Sequence, residues 1–577
     1  MSSASPTDRI PLWPVDVVVV VGLGLLAWPA LMELCVGPSS AAFFLSGPDA
    51  GEWALNAQLV AEGAFDRVDQ HRMPTFLLVL AAVFGLVDDI AWAGHLVSAV
   101  AWGLQPLALY ALGRLVGGRL VGLLAGLLVL GAGMLVQEAA LFGVDPLLSL
   151  LLPVAMTVAL GSRRLQWPAA LGAGAVAALA CCTHLLALPY VIPAVILTLW
   201  PPASEAPPAM PLKRLAAFVV GFGAVVLLFE LTFDLISPVA VIHAVSEGIS
   251  KGTGAPSTSV LSDAAHQQLA QGQGEALRQA THIALSPFQS PNTPWVVGVL
   301  ALWIGILGPG LRVTEGLPKS PPSWAIRWLG RAPVRRWRAV RAGWWGRLAR
   351  WWGRLGPDLA VGLVLLSCLA PVPVLAAANS PFRYAITLLP FVALMLARGV
   401  AAVVHTPMVW APPRARLGWA VVVGLGVASW VGMDSHTRLS HALSNLPTPT
   451  ASARMGRVLS EVVKREFPGD GAVASPMREV PAYLGRAQCP RTTWYSTEVP
   501  DTVPNRLEHM RASCHGEGPI PFIWFPKAPY GMGDDAMSQA VGLHAFERWG
   551  ERARLIEGEL EAVVIAVPRV SDKAAGP

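Results

Sequence analysis

The chain has 577 residues, of which 54% are hydrophobic and only 14% charged, with a formal net charge of +5. Soluble domains carry about 25% charged residues, so this composition excludes a single water-soluble globule and places most of the chain in lipid. The first 433 residues hold 26 Lys and Arg against 20 Asp and Glu, and the last 144 hold 16 against 17. The basic excess therefore belongs to the membrane part, which argues for positive-inside loops and against a nucleic-acid partner.

Residues 15–36 form the first apolar run, long enough to span where about 20 residues are needed. No small-x-small cleavage site follows before Pro38, so it reads as a retained helix rather than a secretory signal. Further runs of spanning length lie near 91–113, 120–136, 146–160, 168–183, 186–200, 215–233, 295–311, 358–378, 384–404 and 417–433. The run 74–87 ends at Asp88-Asp89 and fits an interfacial or re-entrant segment better than a span.

Charge fixes the orientation. With 74–87 not crossing, Arg9, Arg114, Arg119, Arg163, Arg164, Lys213, Arg214, Arg414 and Arg416 fall on the inside. Segment 37–90, the first outer loop, then holds the acids Asp49, Glu52, Glu62, Asp66, Asp69, Asp88 and Asp89 against Arg67 and Arg72 alone. The expected fold class is mainly α: a polytopic membrane protein of about eleven transmembrane helices with a small C-terminal α/β extracytoplasmic domain. The membrane domain covers 1–433 and the outer domain 434–577, with the N-terminus cytoplasmic, in an inner (plasma) membrane of bacterial type.

Segment 312–357 stands apart. Its residues 312–354 carry eleven Lys and Arg, seven Trp and the single acid Glu315. Between two spans, such a basic and aromatic stretch lies on anionic headgroups more readily than on nucleic acid. In 434–577, helical stretches near 450–466, 503–513 and 534–550 alternate with strand-like runs at 471–475, 520–525 and 562–567. Cys489 and Cys514 lie in this region and could pair if it is outside the cytoplasm, although spacing alone leaves the pairing open.

The candidate chemistry gathers at the outer face. Asp49, in Pro48-Asp49-Ala50-Gly51-Glu52-Trp53, could take a proton from an incoming hydroxyl. An arbitrary loop Asp is more often a solvated acid, but Glu52 three residues on shares one helical face with it. Arg72, in His71-Arg72-Met73-Pro74, could pair with a phosphate or equally snorkel at the interface. His71 reads as its neighbour. Glu138 and Asp145 bracket the next outer turn, where Asp145 before Pro146 also suits a helix N-terminus. Arg383 and Tyr384 open the tenth span; an outer arginine there implies a negative partner, either Glu230 or Asp234 or a lipid phosphate. His184, between the fifth and sixth spans, is more often a satisfied polar residue than a ligand.

This layout resembles the GT-C superfamily of membrane glycosyltransferases, closest to the protein-O-mannosyltransferase-like and lipid A aminoarabinose-transferase-like group (glycosyltransferase family 39/83 style). The resemblance is carried by Pro48-Asp49 with Glu52, the stretch 59–63, His71-Arg72-Met73-Pro74, Asp145-Pro146, and Pro381 through Arg383 and Tyr384 to Pro390, within 15–404. It implies an inverting hexosyl or pentosyl transfer from a polyprenyl-phosphate carrier to a lipid, glycan or protein acceptor on the outer face. On the matching positions it implies Asp49 as catalytic base, Asp145 as the second-loop acid, and Arg72 and Arg383 as basic residues near the carrier phosphate. The acid pair is spread out here and the usual Pro-Pro is only Met73-Pro74, departures that touch substrate identity more than fold. No metal-ligand spacing is present; metal dependence varies across the superfamily, so no cofactor is implied with certainty and a divalent cation stays open. The competing classes are a transporter or flippase of lipid-linked sugars, an O-antigen-ligase-like enzyme, and a non-catalytic assembly or sensor protein. A transporter predicts ionisable groups at mid-bilayer and internal repeats; the spans are nearly free of mid-depth charge and no repeat is seen.

Overall fold

The computed structural model describes residues 13–36, 45, 48–65, 68, 72–87, 89–199, 210–232, 301, 362, 386–410, 413–444, 446, 451–469, 471–477, 479–486, 489, 502–514, 516, 518–526, 536–557 and 560–569. In the first half of the chain the helices are α1 (Trp13–Val36), α2 (Pro48–Ala61), α3 (Pro74–Phe84), α4 (Ile90–Gly117), α5 (Arg119–Leu130), α6 (Gly133–Ala139), α7 (Asp145–Cys181), α8 (Leu188–Leu199) and α9 (Met210–Thr232). Later come α10 (Leu389–Trp410), α11 (Pro413–Ser444), α12 (Ala451–Glu466), α13 (Glu479–Leu484), α14 (Val503–Ser513) and α15 (Ala536–Trp549), with strands β1 (Ile520–Trp524), β2 (Ala553–Glu557) and β3 (Leu560–Val567).

Among the described residues, five helical stretches are long and apolar enough to cross a membrane: Pro14–Val36, Ile90–Gly117, Asp145–Ser162, Pro211–Thr232 and Ile386–Val404. The pair α5 and α6, bent by 58°, supplies up to a sixth. The chain is thus a multi-pass membrane protein, mainly helical. Of the other expected spans, 168–183 and 186–200 appear as the shorter apolar helices Trp167–Cys181 and Leu188–Leu199, and 417–433 lies within α11. Runs 295–311 and 358–378 fall outside the described residues except for 301 and 362. Helix α3 has 11 residues, about 16 Å at the α-helical rise, too short for a hydrocarbon core of about 30 Å.

The chain divides into two compact units, Met1–Met32 with Val100–Gln137 and Val144–Asn445, and Glu33–Ala99 with Glu138–Gly143 and Leu446–Pro577. In the first unit, Asp16 near the start of α1 accepts from Tyr110 of α4 and pairs with Arg114 at 3.3 Å and Arg119 at 3.2 Å. One carboxylate therefore ties three helices together at the end that carries the expected inside arginines. Helix α7 turns back on itself: a Cβ at Gly172 would lie 3.6 Å from Val158, whereas fourteen residues of straight helix cover about 21 Å. The reversal falls between them, where the sequence places Arg163-Arg164 on the inside. The returning half of α7 packs on α9 with almost no space between backbones. A Cβ at Gly174 would lie 2.0 Å from the Phe218 carbonyl oxygen, and one at Gly221 would lie 2.0 Å from that of Leu171. Small residues at crossing points allow this approach where lipid supplies no hydrophobic drive between helices.

In the second unit the strands form an antiparallel sheet of order β1-β3-β2, with Phe522 opposite Ile565 and Arg554 opposite Val563. Alternation along β3 sends Val563, Ile565 and Val567 into a core with Leu507 and Met510 of α14 and Val541 and Ala545 of α15. Ala562 and Val564 enter a second core with Met455, Leu459 and Val463 of α12. The strand-like run 471–475 contributes one parallel bridge, Ala474 to Phe522. Strand β2 is the difference from the sequence pattern. Its Ile556 is exposed and Arg554 pairs with Glu551 and Glu561, so an edge strand here carries charge where alternation was sought. Cys489 and Cys514 are joined by a disulfide.

Gly174→Leu should overpack the α7–α9 crossing and cost about 2 kcal/mol or more. The expected result is a clear fall in the thermal midpoint of the detergent-solubilised protein, with Gly161→Leu, where a Cβ meets nothing within 4 Å, as the unaffected control.

Candidate active site

Helix α2 begins at Pro48, whose fixed φ suits the first helical position, and carries Asp49 in its first turn, where the helix dipole favours a negative charge. Asp49, Glu52 and Trp53 stand at i, i+3 and i+4, so one face of α2 presents both acids and the indole. Helix α3 begins at Pro74; the preceding Met73 is extended, with φ −74° and ψ 139°, as a residue before proline must be. Arg72 therefore stands beside α2 just before α3 begins. Its Nη2 donates to Asp49 Oδ1 at 3.1 Å and lies 2.6 Å from Glu52 Oε2. Its guanidinium carbon is 4.7 Å from the centroid of the Trp53 ring.

The two acids are unequal. The Glu52 side chain is 11% exposed and that of Asp49 43%, so Glu52 anchors the arginine from within while Asp49 meets solvent. Two carboxylates around one guanidinium leave a formal charge of −1 on the cluster. Arg72 Nη2 reaches both acids, and among the described residues Arg72 Nε and Trp53 Nε1 are buried without an acceptor. Buried donors in that condition mark a place where an acceptor is to be sought.

Glu138 lies in the same compact unit, in the last turn of α6. The turn that follows is pinned there: the Ser98 hydroxyl donates to the Gly143 carbonyl at 3.0 Å, and Phe142 fills a slot over Gly94, where a Cβ would lie 2.3 Å from its ring. Phe142 meets Phe76 at 6.2 Å between centroids, and Phe76 meets Trp53 edge-on at 5.1 Å. An aromatic row thus connects the 138–143 turn to the acidic face of α2. Asp145 opens α7 and is buried, in the other unit. His184, also in that unit, accepts from the Leu186 N–H at 3.1 Å through Nδ1. His71, Arg383 and Tyr384 lie outside the described residues. Among the described residues no group of three or more His, Cys, Asp or Glu is arranged to hold a metal ion.

Across most of its length the chain superposes on ArnT from Cupriavidus metallidurans in the apo state, with a TM-score of 0.53 and 15% identity, covering 98% of this chain and 100% of that one. The chain shares the fold of that protein. The same ArnT bound to undecaprenyl phosphate matches with a TM-score of 0.49 at 14% identity, covering 97% and 99% of the two chains. The archaeal oligosaccharyltransferase AglB from Archaeoglobus fulgidus, in complex with an inhibitory peptide and a dolichol-phosphate, matches with a TM-score of 0.46 at 14% identity, covering 82% and 64%. No family model matches the chain, and no curated protein matches it in sequence.

Two residues of the site went unread in the sequence. Trp53 follows Glu52 directly and completes the i, i+3, i+4 face, so helical spacing alone could have found it. Tyr483, which reaches the entry of α2 from the far end of the chain, had no local signal at all.

Arg72→Met should leave the buried Glu52 uncompensated and destabilise the second unit by about 3 kcal/mol. Adding Glu52→Gln should restore part of that loss. A thermal-denaturation double-mutant cycle checks it, and strictly additive losses would contradict the bridge.

Proposed function

We propose that this chain is an inverting glycosyltransferase that moves a sugar from a polyprenyl-phosphate carrier to an acceptor at the outer face of the membrane, with Asp49 as general base. One observation carries this function: Arg72 draws Asp49 and Glu52 into a single cluster in which Asp49 alone remains well exposed. The GT-C-type fold supports it.

The chemistry follows from these positions. Asp49 takes the proton of the acceptor hydroxyl, whose oxygen attacks the anomeric carbon from the face opposite the carrier. The bond from that carbon to the phosphate oxygen breaks, its electron pair leaves with polyprenyl phosphate, and the configuration inverts. Negative charge grows on the departing phosphate, and the donors of Arg72 that the carboxylates leave unused are suited to receive it. Glu52 then serves to hold Arg72 beside Asp49. By resemblance, Asp145 is the candidate second-loop acid, Arg383 with Tyr384 the candidate late-loop groups for the carrier phosphate, and His71, Glu138 and His184 further candidate binding residues. The sugar is a hexose or pentose, and the acceptor a lipid, glycan or protein.

The proposed topology has eleven spans, the N-terminus inside and residues 434–577 outside as an α/β domain, in a bacterial-type inner membrane. The Cys489–Cys514 disulfide supports the outer placement, since such bonds persist in oxidising compartments. The basic segment 312–354 then rests on anionic lipids at the inner face.

Asp49→Asn should abolish transfer from a prenyl-phosphate-linked sugar while leaving membrane insertion and thermal midpoint unchanged. Transfer at more than about a tenth of the wild-type rate would remove Asp49 as the base, because a positioned general base contributes about 100-fold or more.

A further inference from the structure

Helix α13 is a single short element, yet it is fixed on several sides within the second unit. The Cys489 N–H, five residues beyond its end, donates to the Val473 carbonyl at 2.9 Å, and Ala474 beside Val473 pairs with Phe522 of β1. The Cys489–Cys514 disulfide ties the same exit to the end of α14. Buried Arg486 donates to the Phe467 carbonyl at 2.9 Å, closing α13 against α12. A six-residue helix has too little hydrogen bonding of its own to hold a position; this one takes its position from the sheet.

From that mount α13 holds the last turn of α2 and the backbone at Leu45, three residues before its start. The Tyr483 hydroxyl accepts from the Leu45 N–H at 2.6 Å, and the Ala482 carbonyl accepts from Gln58 Nε2 at 3.0 Å. Leu45 is fully buried and lies three residues before the helix that carries Asp49. The partner that Tyr483 supplies comes from 438 residues away.

We propose that Tyr483 is a positioning residue for the acid of α2: by fixing the Leu45 backbone at the helix entry, it sets where Asp49 stands relative to Arg72. The proposal rests on the transferase function argued above for its catalytic consequence, but not for its structural one. Burial also pushes the Tyr483 phenol well above its ordinary range, which keeps it a neutral hydroxyl at any working pH. The C-terminal region is on this account part of the acid's mounting, and a truncated chain lacking it would hold α2 at one side only.

Tyr483→Phe removes one hydroxyl and nothing else, and hydrogen–deuterium exchange of the full chain reads the consequence. Exchange at the entry of α2 should quicken by roughly five-fold, the worth of one net hydrogen bond, with β1 and β3 unchanged. The turnover number should fall about ten-fold or more while KM for the prenyl-linked donor stays within about two-fold, because Tyr483 aligns the base and touches no substrate. A Cys489→Ala/Cys514→Ala double variant, which keeps Tyr483 but frees the exit of α13, should show the same pattern in smaller measure. Unaltered exchange at the entry of α2 in Tyr483→Phe overturns the proposal, and so does faster exchange with an unchanged turnover number per folded molecule. If Asp49→Asn retains transfer, the transferase function falls on its own, and the exchange result still decides whether Tyr483 holds the helix.

Discussion

A single guanidinium organises the acidic face of α2. Arg72 stands between Asp49 and Glu52 and over the face of Trp53, so two acids that would repel each other on one helical turn share one positive charge. A lysine ammonium would offer no planar group to lie over the indole while it meets the acids. The bridge also differentiates the acids, with Glu52 enclosed and Asp49 left toward solvent. The proposed chemistry depends on that asymmetry, because a base must be reachable while its supporting charge stays fixed.

What surrounds the bridge makes it rigid. Pro48 and Pro74 set where α2 and α3 begin, and Trp53, Phe76 and Phe142 pass the position of the acid face on to the turn after α6. The three-stranded sheet, covered on both faces, carries α13 to the other side of α2. Short local elements thus obtain a fixed geometry from contacts made far away in sequence.

Much of this was legible in the residues because it rests on local periodicity. The apolar runs, the shortness of 74–87 and the shared face of Asp49 and Glu52 all follow from spacing within a few turns. The strands β1 and β3 were legible for the same reason, since both alternate into two buried faces. Strand β2 was not, because an edge strand carrying Arg554 and an exposed Ile556 hides its period. The Cys489–Cys514 bond and the Tyr483–Leu45 hydrogen bond depend on distance in space, which no window of sequence contains. The sequence offered Arg72 chiefly as a phosphate ligand; its attachment to both acids at once emerged only from the approach of α3 to α2.

The most direct measurement places the purified chain in proteoliposomes with radiolabelled prenyl-phosphate-linked sugars and follows the label and the carrier together. A transferase should move the sugar onto an acceptor and release free polyprenyl phosphate in equal amount. Passage of the intact donor from one leaflet to the other, with no carrier phosphate released, would contradict the account and make this chain a transporter built on the same fold.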